Sequence, residues 1–514
     1  MSIAPLPALP VTGPGTPRLR EALWAASFTP DGLRALLGEP AHDALTRGEP
    51  VPALRAVRGD DGPLAVLARL FLLRQPVAYG AARGALPLDA ALGEGWLERD
   101  GDEVRATVDV RPYAGEAPDQ DWWIVSDARG LPGAGEPARD VVLGAGGAST
   151  TLAQLTVRRP VARALDLGTG CGVQALHASR HAARVTATDV NARALRMAAL
   201  TLALSGAPAA DLRQGSLFEP VADKADKGEG EGADEGFGLI VSNPPFVISP
   251  SDRGAGLTYR DGGLAGDELC RTLVRQSAAH LADGGHCQLL ANWQHIEGED
   301  WRERVAAWVP PGCDAWIVQR EIQDVTRYAE LWLRDAGLHR GDPAAYDAAY
   351  EAWLADFAAA RTEAVGLGWI TLRASRTDHP SVVVEDWPHA VEQPLGDTVA
   401  AHFARRDFLR GRDDGALLRA RYVLAEDVVQ EQIGSPGAED PEHVVLRQRH
   451  GMLRARAMDT VSAGFAGSCD GTLVAGAILD AIASLLDEDA VALRDRAGEW
   501  LRPLVEQGFL LPEE

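Results

Sequence analysis

Three short stretches of this chain hold residues of the types and spacing that small-molecule chemistry requires. The first is Leu165-Asp166-Leu167-Gly168-Thr169-Gly170-Cys171-Gly172, an apolar run entering a glycine turn, followed by the helix-forming VQALHASR. Glycines let a backbone approach a ligand closely, and the start of a helix supplies free N–H donors and a positive dipole. A tight strand-to-helix connection or a dinucleotide site would read the same way from this turn alone. The second stretch, ARVTATDV, ends in Asp189 and Val190. A carboxylate at the end of the next strand can accept hydrogen bonds from both hydroxyls of a ribose, which both nucleoside cofactor classes require. The glycines alternate as G-x-G-x-G rather than the G-x-G-x-x-G of a pyrophosphate-binding turn, which favours S-adenosylmethionine over a nicotinamide cofactor.

The third stretch is Asn243-Pro244-Pro245-Phe246, directly after the apolar run FGLIVS. Successive prolines fix the backbone and withhold donors, leaving the carbonyls of the turn free to face an amine. Asn243 adds a side-chain carbonyl for the same NH2 group, and Phe246 a flat face for a planar amide or base. Aligning a nitrogen lone pair with a sulfonium methyl is most of what such a transfer needs, since positioning can supply roughly 7–11 kcal/mol of barrier reduction. No strong general base is required. A nicotinamide oxidoreductase would leave this turn unexplained, and a silent cofactor-binding protein has no physical reason to keep it.

With these motifs in this order, residues 140–310 resemble the class I methyltransferases that carry an N-P-P-[FY] motif. The HemK-type protein glutamine methyltransferases and the small-domain ribosomal RNA methyltransferases are the nearest in pattern. The resemblance implies a Rossmann-like, seven-stranded α/β sheet and S-adenosyl-L-methionine as cofactor. It implies that Asp166, Gly168, Thr169, Gly170 and Gly172 line the methionine side. Asp189 and Val190 would then hold the ribose, and Ser216 and Leu217 lie near the adenine, with Asn243 to Phe246 at the target nitrogen and Asn243 also in contact with the cofactor. The segment SPSDRGAGLTYRDGGLAGDELCRTLV resembles the HemK branch and makes Tyr259 and Arg260 candidate substrate contacts or loop anchors. The expected activity is N-methylation of a planar nitrogen. Its first expected target is an exocyclic amine of a ribosomal or transfer RNA base, and its second a protein glutamine amide.

The elements that must position these residues follow from periodicity. Short apolar strands alternate with helices from about Leu143, which predicts an α/β domain over 136–392 with a mainly parallel sheet. An acidic low-complexity loop (221–236) and a helical insertion (328–366) interrupt it. Residues 17–135 carry helical spacing, then a helix, turn and strand that predict a helical and winged-helix-like N-terminal domain. Residues 393–514 end in helices and a Gly508-Phe509-Leu510 strand, predicting a second winged-helix-like domain. Residues 1–16 are Pro/Gly-rich and read as a disordered lead.

Composition limits the rest. At 514 residues the chain exceeds one ordinary core. No apolar run reaches the roughly 20 residues of a membrane helix, which gives a cytoplasmic expectation without membrane partners. A net charge of −24 counts against nonspecific nucleic-acid binding, though not against local basic patches. The five cysteines have no paired spacing, so neither disulfides nor a metal site is expected. His177 and His181, four apart, lack partners for a metal and read as surface or packing residues. Trp122-Trp123 can stack a base, but aromatic pairs in strands usually serve a core.

Overall fold

The apolar runs between Val161 and Asp386 assemble into one eight-stranded sheet. In the computed structural model, which describes residues 8–115, 121–127, 140–222, 236–250, 264–435 and 443–513, its strands are β1 (Val161–Leu167), β2 (Ala182–Asp189), β3 (Asp211–Gln214), β4 (Phe237–Ser242), β5 (Leu281–Ile296), β6 (Cys313–Asp324), β7 (Thr362–Ala374) and β8 (Val382–Asp386). Their spatial order is β3-β2-β1-β4-β5-β7-β6-β8. Every neighbouring pair is parallel except β7, which runs antiparallel to β5 and to β6. The strand order reverses direction between β1 and β4, and ligands of open α/β sheets bind outside the carboxyl ends of strands at such a switch point. The fold is therefore Rossmann-like α/β, as expected, with one strand more than seven: Val382–Asp386 pairs with Ala315–Gln319 at the edge. Its VVVED sequence is too short to mark a strand by pattern.

The chain divides into two compact units, Met1–Ala153 with Arg159–Trp387, and Gln154–Arg158 with Pro388–Glu514. In the first unit the N-terminal residues share a core with the sheet's own helices: Leu23, Phe71, Trp96 and Trp123 pack in one cluster with Leu176, Met197 and Leu200. Leu9 joins it and the Val11 N–H donates to the Glu94 carbonyl at 2.9 Å, so the end of the stretch read as a disordered lead is packed. A hairpin of Asp109–Ala114 and Asp121–Ser126 carries Trp122 and Trp123, both buried. The free edge of its second strand is satisfied by side chains of the helix Ala192–Leu204 and its C-cap: Val125 N–H donates to Thr201 Oγ1 and Trp123 N–H to Ser205 Oγ, both at 3.0 Å. For these two N–H groups, hydroxyls take the place of a neighbouring strand.

Between β6 and β7 lie the helices Val325–Asp335 and Pro343–Ala359, N-capped by Asp324 and Asp342. The insertion read from the sequence as 328–366 starts earlier, at Val325, and its helices end at Ala359, because β7 begins at Thr362, ahead of its apolar stretch. In the second unit, the helix Ala490–Gln507 ends on Gly508 at φ +83°, and Leu510–Glu513 pairs antiparallel with Arg421–Leu424. Among the described residues no helix is long and apolar enough to cross a membrane.

Candidate active site

From the end of β1 the chain turns through Gly168, Gly170 and Gly172, at φ +76°, +54° and +83°. At Gly172 the requirement is also steric, since a Cβ there would lie 2.8 Å from Ala198 Cα. Around Gly168 and Gly170 a Cβ would meet nothing, because that side of the turn faces a cavity. The turn hangs from β2: Gly168 N–H and Thr169 N–H both donate to the Thr188 carbonyl at 2.9 Å. Asp189 then takes Gly170 N–H on Oδ2 and Asn191 N–H on Oδ1, each at 2.9 Å. Burial pushes the Asp189 carboxyl above its ordinary range, against these backbone donors, which lower it.

Asp166 is buried beneath the turn rather than beside the cavity. Its Oδ2 accepts from Thr169 Oγ1 at 2.6 Å and from Ala175 N–H at 2.9 Å, while Oδ1 has no partner. Burial pushes this carboxyl up to about 7, outweighing both donors. Cys171 is buried too, and the same cause raises its thiol to about 12.

The cavity has a volume of about 270 Å³ and is lined by Gly168–Cys171, Asp189, Asn191, Asn243 and most of the segment 141–149. Gly168, Thr169, Gly170, Asp189 and Asn243 are thus brought together around one cavity. Gly172, Val190, Ser216, Leu217, Pro244, Pro245 and Phe246 are not on its lining. Val190 is 48% exposed. Ser216 is exposed and Leu217 half-buried at φ +49°, in a loop tied to β2 by Gly215 N–H donating to the Asp189 carbonyl at 3.1 Å.

Asn243 leaves β4 at the level where Ser242 Oγ donates to the Leu167 carbonyl at 2.8 Å, locking the two strand ends together. Its Nδ2 lies 3.4 Å from Ser149 Oγ, and its Oδ1 is buried without a hydrogen-bond partner. The turn closes tightly, with Phe246 N–H donating to the Pro244 carbonyl at 2.7 Å. Phe246 is half-buried, its ring edge-on to Trp332 with centroids 6.4 Å apart. Val247 and Ile248 follow it into a small core with Tyr328, Trp353 and Phe357 of the inserted helices. Tyr328 Oη accepts from Ile248 N–H at 3.0 Å and from Asn292 Nδ2 of β5 at 2.8 Å.

Tyr259 and Arg260 lie outside the described residues. His177 packs: its Nε2 is 3.1 Å from Tyr113 Oη and its ring stands edge-on to Trp122 at 5.0 Å. Trp123 is fully buried, its Nε1 donating to the Phe28 carbonyl at 2.9 Å. Sequence reasoning missed Ser149, Gln174 and Asn191 on the cavity wall. A glycine run ending in Ser and Thr ahead of a helix, GAGGAST, was the available signal.

Residues 146–301, a range that includes the glycine turn, Asp189 and the Asn243 turn, match the family model described as Methyltransferase small domain. Residues 25–107 and 400–512 match two further models, each described as a domain of unknown function (DUF7059 and DUF7782). The chain is 30% identical over 160 residues to the ribosomal protein uL3 glutamine methyltransferase of Bradyrhizobium diazoefficiens, covering 29% of this chain and 47% of that protein. It is also 30% identical over 132 residues to ribosomal RNA small subunit methyltransferase C of Escherichia coli, covering 25% of this chain and 31% of that one. The chain thus spans less than half the length of these relatives. Among solved structures it aligns with the N-methyltransferase NodS of Bradyrhizobium japonicum in complex with S-adenosyl-L-homocysteine, at 15% identity over 44% of this chain and 85% of that one, with a TM-score of 0.23. A ribosomal protein L11 methylase of Lactobacillus delbrueckii subsp. bulgaricus aligns at 17% identity over 45% and 76%, with a TM-score of 0.23.

Proposed function

We propose that the chain is an S-adenosylmethionine-dependent N-methyltransferase whose acceptor is a planar nitrogen in a ribosome-associated substrate, in the first place an exocyclic amine of an RNA base. The observation that carries this reading is Asn243 Oδ1, a buried acceptor with no partner on a residue that also lines the cavity of the glycine turn. Leaving a buried acceptor unpaired costs about 1–3 kcal/mol, a cost that an incoming N–H group removes. When bound, S-adenosylmethionine supplies an electrophilic methyl group on a sulfonium.

The residues present fit that cofactor. Open space over Gly168 and Gly170 admits a ligand close to the backbone. Asp189 spends one lone pair of each oxygen on a backbone N–H, and its remaining acceptor capacity suits a ribose diol. Asn243 holds the acceptor NH2 group through Oδ1, and Ser149 fixes the amide's orientation through Nδ2. On gaining the methyl group the nitrogen becomes cationic and acidic enough to lose its proton to solvent water, so the site needs alignment rather than a strong base.

A glutamine amide presents the same planar NH2 group, and the uL3 glutamine methyltransferase among the relatives favours it as a second reading. The net charge of −24 also suits a basic protein partner. The helix, strand, two helices and hairpin between Pro63 and Ala106 have the order of a winged helix. In this reading the flanking domains hold the macromolecular substrate and the protein works in the cytoplasm.

The discriminating experiment transfers labelled methyl from S-adenosylmethionine to lysate of a strain lacking the protein, then treats the product with RNase or protease. RNase-sensitive label supports the RNA base. Protease-sensitive, RNase-resistant label moves the assignment to the amide. No label in any fraction, with cofactor binding intact, overturns catalysis.

A further inference from the structure

The cavity wall formed by residues 141–149 has few backbone ladders of its own, yet it must keep its shape if the cavity is to hold a ligand. It is clipped from outside at three points. Asn191 Nδ2 donates to the Asp140 carbonyl at 2.9 Å, and Gln174 Nε2 donates to the Ser149 carbonyl at 2.7 Å. The middle clip is Asp127, the residue after the hairpin strand Asp121–Ser126. Its N–H donates to the Val142 carbonyl at 2.9 Å and its Oδ2 accepts Val142 N–H at 2.9 Å, a reciprocal pair.

The same carboxylate meets Arg193 in a bidentate pair, Nε to Oδ2 at 2.8 Å and Nη2 to Oδ1 at 2.5 Å, with both side chains nearly shielded from solvent. Arg193 sits in the first turn of the helix after β2, next to Asn191 and Ala194 on the cavity lining. Gly144, also on the lining, lies against Ser126, whose Oγ would be 3.0 Å from a Cβ there. Arg74, from the N-terminal helical region, brings its charge to bear on Asp109 and Asp127.

We propose that Asp127 is a positioning residue for the cofactor, and that the N-terminal hairpin is a structural wall of the cofactor site as well as a flanking region. One carboxylate joins the hairpin, the wall segment and the helix behind Asp189, so movement of the hairpin is movement of the wall. The inference rests on the methyltransferase reading above for the identity of the ligand, but not for the clip itself.

The test uses the full chain and S-adenosyl-L-homocysteine as titrant, with amide hydrogen exchange of residues 141–149 as a ligand-free readout. Asp127→Ala is expected to weaken binding about tenfold or more and to raise the KM for S-adenosylmethionine, with kcat at saturation changing by less than about threefold. Exchange at Val142 to Gly147 should speed by a similar factor. Asp127→Asn keeps an oxygen for Val142 N–H and loses the bidentate charge pair, so it should fall between. Asp314→Ala is the comparison for simple loss of a buried ion pair, since Asp314 pairs with Arg373 at 2.5 Å near the opposite ends of the strands.

If Asp127→Ala or Asp127→Asn melts earlier to the same degree as Asp314→Ala while ligand affinity and exchange at 141–149 stay within about twofold of the parent, the proposal is overturned. Should the parent chain bind no S-adenosyl-L-homocysteine, the methyltransferase reading fails and takes the cofactor role with it. Exchange at 141–149 then still separates the clip from an ordinary surface carboxylate.

Discussion

The two halves of the central sheet are built differently. Strands β1 to β4 are 7, 8, 4 and 6 residues long and present their ligand-facing groups at their carboxyl ends, chiefly as backbone and one carboxylate. Strands β5, β6 and β7 are 16, 12 and 13 residues long. The last pair between β4 and β5 is Ser242 with Leu289, yet β5 continues to Ile296, roughly 20 Å further at a strand's rise per residue. These long strands carry buried amides: Gln288, Asn292 and Gln294 on β5 and Gln319 and Gln323 on β6 are all buried. Gln319 and Gln294 bond to other side chains across strands: Gln319 Oε1 accepts from Trp293 Nε1 and Gln319 Nε2 donates to Asp386 Oδ1, both at 3.1 Å, and Gln294 Nε2 donates to Thr362 Oγ1 at 2.6 Å. A site made from glycine turns and strand ends is compact in sequence. A wall made from cross-strand amides is not, and it carries the inserted helices that hold the segment after Phe246.

Five perturbations separate these halves. The largest effect is expected at their junction: Asn243→Ala should lower kcat by about 100-fold or more while leaving S-adenosyl-L-homocysteine affinity within about twofold, measured by steady-state transfer and calorimetry. Next, Asp189→Ala should weaken that affinity by about 10–100-fold, the loss expected for hydrogen bonds to a charged acceptor. On the long-strand side, Tyr328→Phe removes the acceptor of Ile248 N–H, costing about 1–3 kcal/mol of stability in denaturant melts. It should reduce kcat without touching cofactor affinity, and a fall in affinity instead would erase the division proposed between the halves.

Gly172→Ala places a methyl group against Ala198 in a left-handed backbone and should destabilise the fold by about 1–3 kcal/mol. The smallest effect is one of pH. The Asp166 carboxyl is raised to about 7 in the folded chain from an ordinary 3.8, so the folded state keeps a proton that the unfolded chain has released. Its contribution is fully present below the unfolded value and is lost as pH rises through about 7. The Tm of the ligand-free protein should therefore fall between about pH 4 and pH 7 and level off above that, and Asp166→Asn should flatten that slope. Parallel slopes in the two proteins would assign the titration to another group.

What was legible in the sequence follows the same division. The glycine turn, Asp189 and Asn243 were readable because each function is local: φ above zero demands glycine, and a strand end places one side chain at the sheet's edge. Asp166 was grouped with the ligand contacts because it lies in the same motif, but its position two residues before the first glycine puts it under the turn, bonded to Thr169 and Ala175. Gln174 and the Asp127 clip were invisible because their partners, Ser149 and Arg193, lie 25 and 66 residues away along the chain. The eighth strand is too short to show a pattern, and the full length of β5 to β7 escaped notice for a different reason. Buried glutamines and asparagines paired across strands look like polar surface to any pattern based on hydrophobicity.

The most direct test of the account is a single titration series of S-adenosyl-L-homocysteine into the parent chain, Asp189→Ala and Asn243→Ala. The account predicts saturable binding to the parent, a large loss of affinity in Asp189→Ala and near-parental affinity in Asn243→Ala. Equal loss in both variants, or no binding to the parent, would contradict it.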